Sequence, residues 1–223
     1  IGNYFYKVNI HAPYFINFAD ADATAGGNAA TVYRYGKAIH DVKMQQFGAY
    51  LAKLNKTGEH SLSGKICDQI KNLGIQNEII NADAKEALVA DFWLPDTEVA
   101  GARDKKDSFN GFFFGAKGGF NNESHNHNDI GTCVMYYDGK PCLIDLGREG
   151  YTARTFSNRR YEIWTMQSQY HNLPKINGVD QHDGAQFKAT NSNFVADNTK
   201  AFFSTDIAGA YPVDAKVKSW VRS

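Results

Sequence analysis

Two imidazoles, two amides and a carboxylate fall within six positions of this chain, in Ser124-His125-Asn126-His127-Asn128-Asp129. Packing alone does not call for such residues. The run lies between a glycine-rich stretch (Gly115, Gly118, Gly119) and a strand-like run from Thr132 to Tyr137. In an extended backbone, residues two apart point to the same side. His125 and His127 would then face one site, with Asn126 turned away. Such a pair suits one metal ion, or one imidazole on a metal and the other on a substrate.

Further groups follow along the chain. Asp145 closes the apolar run Leu143-Ile144-Asp145-Leu146-Gly147, and His171 sits in Tyr170-His171-Asn172-Leu173-Pro174. With His127 they offer two imidazoles and a carboxylate, a donor set suited to Zn²⁺ with a fourth position open. The spacing matches no short zinc-finger code, so the three serve equally well as separate surface or capping residues. Arg148, Arg154, Arg159 and Arg160 crowd into thirteen residues. Their forks suit carboxylate or sulfate, although arginines in loops are commonly just solvated. Tyr151 and Tyr161 are phenols in the same stretch. Such a phenol works as base or acid where positive charge lowers its pKa, which these arginines could supply. His11, His40 and His60 are isolated and read as surface or packing residues, and His182 as a loop residue.

The elements that must position these groups change character along the chain. Ala30 to Ile39 and Val42 to Leu54 carry apolar residues at helical spacing, with Asp41 as N-cap of the second. Gly64 to Leu73 and Ala82 to Ala90 are shorter helix candidates. Beyond Trp93-Leu94-Pro95-Asp96 come strand-like runs: Glu98–Arg103, Ser108–Lys117, Thr132–Tyr137, Pro141–Leu146, Gln186–Ala189, Ala201–Ile207 and Lys216–Val221. Asp138-Gly139 reads as a two-residue hairpin turn that pairs Tyr137 with Lys140, Met135 with Cys142 and Cys133 with Ile144. Cys133 and Cys142 are then diagonal, which disfavours a disulfide, and buried free thiols are expected. Helices followed by strands imply an α+β fold in two domains with a boundary near Asp91.

Lys plus Arg equals Asp plus Glu at 24 each over 223 residues. That balance argues against a general nucleic-acid or membrane-surface binder. No apolar run is long enough to span a membrane. The chain starts at Ile1 without a signal-peptide pattern and stops just after a strand-like stretch, so it reads as an internal fragment of a longer protein.

The His-Asn-His run, the Asp145-Leu146-Gly147 strand end, Asn158-Arg159-Arg160-Tyr161 and Tyr170-His171-Asn172-Leu173-Pro174, in this order and spacing, together resemble the heparinase II/III-like family of polysaccharide lyases. Asn17-Phe18-Ala19-Asp20-Ala21 resembles the stretch that closes the family's helical domain. The resemblance implies that residues 1–91 are the C-terminal part of an incomplete α/α toroid. Residues 92–223 would be the start of an antiparallel β-sandwich, with the cleft between the two. It implies β-elimination at 4-linked uronic-acid polysaccharides, with His125 as catalytic histidine. His127, Asp145 and His171 would be ligands of a structural Zn²⁺. Tyr161 and Asn172 fall where other branches place catalytic groups. Arg148, Arg154, Arg159, Arg160 and Asn126 are the candidates to bind the acidic glycan. The family's main base, a toroid tyrosine, is expected upstream of Ile1, so the fragment alone is expected to be inactive. A periplasmic or secreted location also follows from the resemblance only. Rival readings are a non-catalytic carbohydrate-binding module of the same fold, and a zinc hydrolase.

Overall fold

The computed structural model describes residues 2–24, 29–55, 70 and 73–223, and its contacts divide the chain into two compact units. The first comprises residues 1–15 and 24–89, the second residues 16–23 and 90–223. Residues 16–23 thus leave the helical stretch and pack with the strands, which a single boundary near Asp91 does not anticipate.

In the first unit, α1 (Tyr4–Lys7) precedes a two-stranded ribbon of β1 (Asn9–His11) and β2 (Tyr14–Phe15). Helices α2 (Ala29–Ala38) and α3 (Val42–Leu54) follow the predicted periodicity. The Asp41 side chain caps α3 by accepting from Met44 N at 3.0 Å, which satisfies one of the free N–H groups of the first turn. Phe47 of α3 is fully buried and packs its ring against Phe5 and Phe15, at centroid distances of 5.8 and 6.3 Å. The helix expected over Ala82–Ala90 does not form; α4 spans Gln76–Asn81 instead. The backbone beyond it is held by other partners: Lys85 N donates to Gln46 O and Ala87 O accepts from Asn9 Nδ2. Tertiary hydrogen bonds here replace the helical ladder. The Gly64–Leu73 helix candidate, apart from Ile70 and Leu73, lies outside the described residues, as do His60 and Cys67.

In the second unit a five-stranded antiparallel sheet runs in the order β3 (Asp91–Leu94), β4 (Val99–Arg103), β5 (Phe112–Lys117), β7 (Cys133–Tyr137), β8 (Lys140–Leu143). β6 (Phe120–Asn121) pairs with β9 (Gly184–Lys188), and β10 (Thr190–Ala196), β11 (Ala201–Asp206) and β12 (Val221–Arg222) form a third sheet. Helices and antiparallel sheets together make the α+β class expected. The Trp93 segment, just past the expected boundary, is itself an edge strand. Its indole packs on Phe194 and Phe203 at 6.0 and 5.8 Å.

The Asp138-Gly139 turn has φ of 47° and 71°, the signature of the mirror-image turn that matches strand twist. It pairs Tyr137 with Lys140 as expected, but the register then shifts and Met135 faces Leu143, not Cys142. An irregularity of this kind places two residues against one. Cys133 stays buried while Cys142 is exposed, and both are free thiols. β8 ends at Leu143, and Lys216–Val221 is strand only at its last residue. Under the β9–β12 region lies a compact apolar core built on Ile130, Ile176, Ile207 and Tyr211. No helix among the described residues is long and apolar enough to cross a membrane.

Candidate metal centre and catalytic histidine

The histidine run is not a strand. His125 adopts φ of 60°, the left-handed region that costs a non-glycine residue of order 1 kcal/mol or more and recurs at functional sites. His125 and His127 therefore do not present one face to one ion. Their rings meet opposite oxygens of one carboxylate, that of Asp20. His125 Nδ1 lies 2.9 Å from Oδ2 and His127 Nε2 lies 2.9 Å from Oδ1. The His127 side chain is fully buried, whereas that of His125 is 49% exposed.

The loop is held from both ends. Asn128 N donates to Met166 O, and Ile130 exchanges two hydrogen bonds with the Gln181 amide at 3.1 and 2.7 Å. Asp129 is fully buried and accepts from Lys117 Nζ at 2.6 Å. Its other oxygen accepts from Ala19 N at 3.3 Å, one residue before Asp20. Lys117 sits at the end of β5, so the central sheet fixes both the histidine loop and the Asp20 segment.

His127, Asp145 and His171 bring one ligand atom each within 4.8 Å of one another, and all three are buried. His171 Nε2 donates to Thr165 O at 3.1 Å, which leaves the Nδ1 lone pair facing Asp145 Oδ2 at 2.8 Å. Two lone pairs cannot meet unless a proton or a cation lies with them. Burial opposes a charged His171, but the Asp145 carboxylate outweighs it and raises the pKa. His127 Nδ1 is a buried nitrogen without a hydrogen-bond partner, while its Nε2 is engaged by Asp20. Burial lowers the His127 pKa and so favours the neutral imidazole, the form that ligates metal. An orphaned nitrogen beside an imidazole–carboxylate pair is what three metal ligands look like in protein atoms alone. The outer partners fit as well: each imidazole donates its other N–H to a carboxylate or a carbonyl. The residues present therefore fit a divalent metal with N, N, O ligands.

Asp20 is the residue that sequence reasoning passed over. The Asn17–Ala21 segment stood out only as a structural boundary, with no role given to its carboxylate. Burial pushes the Asp20 pKa up, but hydrogen bonds from Arg160, His125 and His127 more than reverse this, and the carboxylate stays ionised.

The other predicted residues fall in distinct places. Arg160 is spent inside the protein, donating to Asn126 O, Thr155 O and Asp20 Oδ1 at 2.9, 3.0 and 2.7 Å. Asn126 is buried and its Nδ2 donates to Tyr161 Oη at 3.1 Å. Asn172 commits its amide N–H groups to Cys133 O and Ile144 O at 2.8 and 2.7 Å. Arg148 lies over the Tyr151 ring at 4.5 Å and donates to Asp20 O and to Asp22. Arg159 pairs with Glu162, and Arg154 is exposed nearby. Tyr151, not Tyr161, is the phenol beside His125, with its Oη 3.3 Å from both Nδ1 and Asp20 Oδ2. The arginines do not activate either phenol. Burial raises the Tyr161 pKa, and burial together with Asp20 raises that of Tyr151. Both stay protonated at neutral pH.

No family model matches the chain, and no curated protein does. Solved structures match in fold. A heparinase III gene product with methylated lysines aligns over 92% of this chain at a TM-score of 0.59 and 16% identity. The heparan sulfate lyase HepC from Pedobacter heparinus aligns over 91% at 0.55 and 15%, and a mutant of it over 92% at 0.56 and 13%. This chain spans 27% of the length of each. At such identities the kinship is one of fold: the chain has a heparinase-like architecture.

Proposed function

We propose that the chain carries the histidine-and-metal half of a polysaccharide lyase site that cleaves 4-linked uronic-acid glycans by β-elimination. The observation that carries this reading is His125, half-exposed, with Nδ1 on the Asp20 carboxylate and the buried His127–Asp145–His171 set two residues away. Asp20 accepts from Nδ1–H, so the lone pair of His125 lies at Nε2, the atom left to meet a ligand. In the elimination a base takes the C5 proton, the C–H electrons become the C4=C5 double bond, and O4 departs with a proton from an acid. His125 Nε2 is one of the two proton-carrying atoms. A tyrosine in the rest of the full-length protein is the other, as the resemblance to the heparinase II/III-like lyases implies. The same resemblance supports assigning the helices to an α/α toroid, the strands to a β-sandwich, and the protein to the periplasm or the exterior.

His127, Asp145 and His171 would hold Zn²⁺, which would supply a buried cross-link between their three loops. His127 in turn aligns Asp20, and Asp20 aligns His125. Arg154, exposed, and Arg148, part-buried over the Tyr151 ring, are the candidate cations to meet uronate carboxylates or sulfates.

The test is product chemistry with the full-length protein on heparan sulfate, chondroitin and alginate. A lyase product absorbs in the ultraviolet through its new C4=C5 bond and is one water lighter than the hydrolysis product. His125→Ala is expected to lower turnover by about 10²–10⁴-fold. Saturated products would favour a hydrolase. Glycan retention without cleavage, unchanged in His125→Ala, would favour a binding module.

A further inference from the structure

We propose that Asp20 is a positioning residue that sets the tautomer of His125 and links that imidazole to the metal centre. The inference rests on the reading of His125 as a proton-carrying group. Asp20 is nearly inaccessible, and its two oxygens have different partners. Oδ1 receives Arg160 Nη2 at 2.7 Å and His127 Nε2 at 2.9 Å. Both are obligatory donors here, because guanidinium has no acceptor and His127 keeps Nδ1 for the metal. Oδ2 receives His125 Nδ1 at 2.9 Å and Tyr151 Oη at 3.3 Å. With Oδ1 saturated, Oδ2 is aimed at His125, and an ionised oxygen at this distance requires the proton to sit on Nδ1. The Nε2 lone pair then points away from Asp20 with a fixed ring orientation, although His125 itself is half-exposed on a strained backbone. Arg148 Nε, bonded to the Asp20 carbonyl at 3.0 Å, holds the same residue from behind. A metal at His127 would couple to His125 through this carboxylate, since His127 holds Oδ1 and Oδ2 holds His125.

The substitution Asp20→Asn separates positioning from folding. Its amide oxygen must stay toward Arg160 and His127, which are donors. Its NH2 then faces His125 Nδ1 and demands a lone pair there. The proton moves to Nε2, and the atom needed for proton transfer is blocked, as in the catalytic triads whose orienting carboxylate is made an amide.

The experiment is ¹⁵N NMR of histidine-labelled full chain above the imidazole titration range, with His125 assigned by its loss in His125→Gln. The wild type is expected to show His125 as the Nδ1–H tautomer, and Asp20→Asn to show it as Nε2–H with metal content unchanged. In the full-length protein Asp20→Asn is expected to lower kcat by about 10³–10⁴-fold with KM within a few-fold. Nε2–H in the wild type overturns the inference, as does an Nδ1–H tautomer that survives Asp20→Asn. The wild-type spectrum decides even where the variant fails to fold. It is also independent of activity: an Nδ1–H tautomer in a protein that cleaves no glycan would uphold the Asp20 assignment and sink the lyase reading.

Discussion

Lys117 Nζ lies 2.6 Å from Asp129 Oδ1, with both side chains withdrawn from solvent at 2% and 0% exposure. Glu123 adds a second carboxylate at 3.2 Å. Removing one partner strands the other charge in the interior. Lys117→Met is expected to cost about 3–5 kcal/mol, and the double variant Lys117→Met/Asp129→Asn to recover part of it. Urea unfolding of the two variants checks this.

The same pair sets a pH dependence. Burial alone would raise the Asp129 pKa, but Lys117 above all drives it down. A carboxylate depressed in the folded state stabilises above its unfolded value of about 4, and that stability is lost as pH falls through the folded value. Burial alone would lower the Lys117 pKa, but Asp129 and Glu123 raise it. Its contribution is therefore full below an unfolded value of about 10.4 and is lost as pH rises through the folded one. Unfolding free energy measured against pH is expected to fall below about pH 4 in the wild type, and to fall less steeply there in the double variant.

His125 pays for its place with a left-handed backbone. Glycine adopts that conformation freely, and alanine does not. His125→Gly is expected to be more stable than His125→Ala by about 1 kcal/mol, with both equally deficient in turnover. Equal stabilities in denaturant titrations would count against the strained loop.

Asn172 acts as a clasp between the His171 loop and the β7–β8 hairpin, because its amide reaches Cys133 O and Ile144 O. Asn172→Ala is expected to lower stability by about 1–3 kcal/mol while kcat in the full-length protein changes by less than tenfold. A loss of several hundred-fold in kcat at unchanged melting temperature would instead give Asn172 a direct role in the chemistry.

The helices around Phe47 and the hairpin at Asp138-Gly139 were legible because local signals decide them: apolar spacing, a capping carboxylate, and a turn that needs two positive φ values. The Ala82–Ala90 segment was not, because distant backbone partners at Asn9 and Gln46 override its helical composition. The ligand set His127, Asp145 and His171 stood out through residue type and through resemblance, and the buried cluster brings those three together. Asp20 left no such mark. Its meaning lies in the approach of residues 105 and 107 positions away. The backbone at His125 was not legible either: an extended run would face both imidazoles to one site, whereas its left-handed turn sends them to two oxygens of one carboxylate.

The most direct measurement is metal stoichiometry and thermal stability of the purified chain with and without a chelator. One zinc per chain is expected, and none after His127→Ala or Asp145→Ala. Stripping the metal is expected to lower the melting temperature by roughly 10 °C, since a ligand present at a thousand times its Kd contributes about 4 kcal/mol. A wild-type chain that binds no divalent metal and melts at the same temperature with or without chelator would contradict the account.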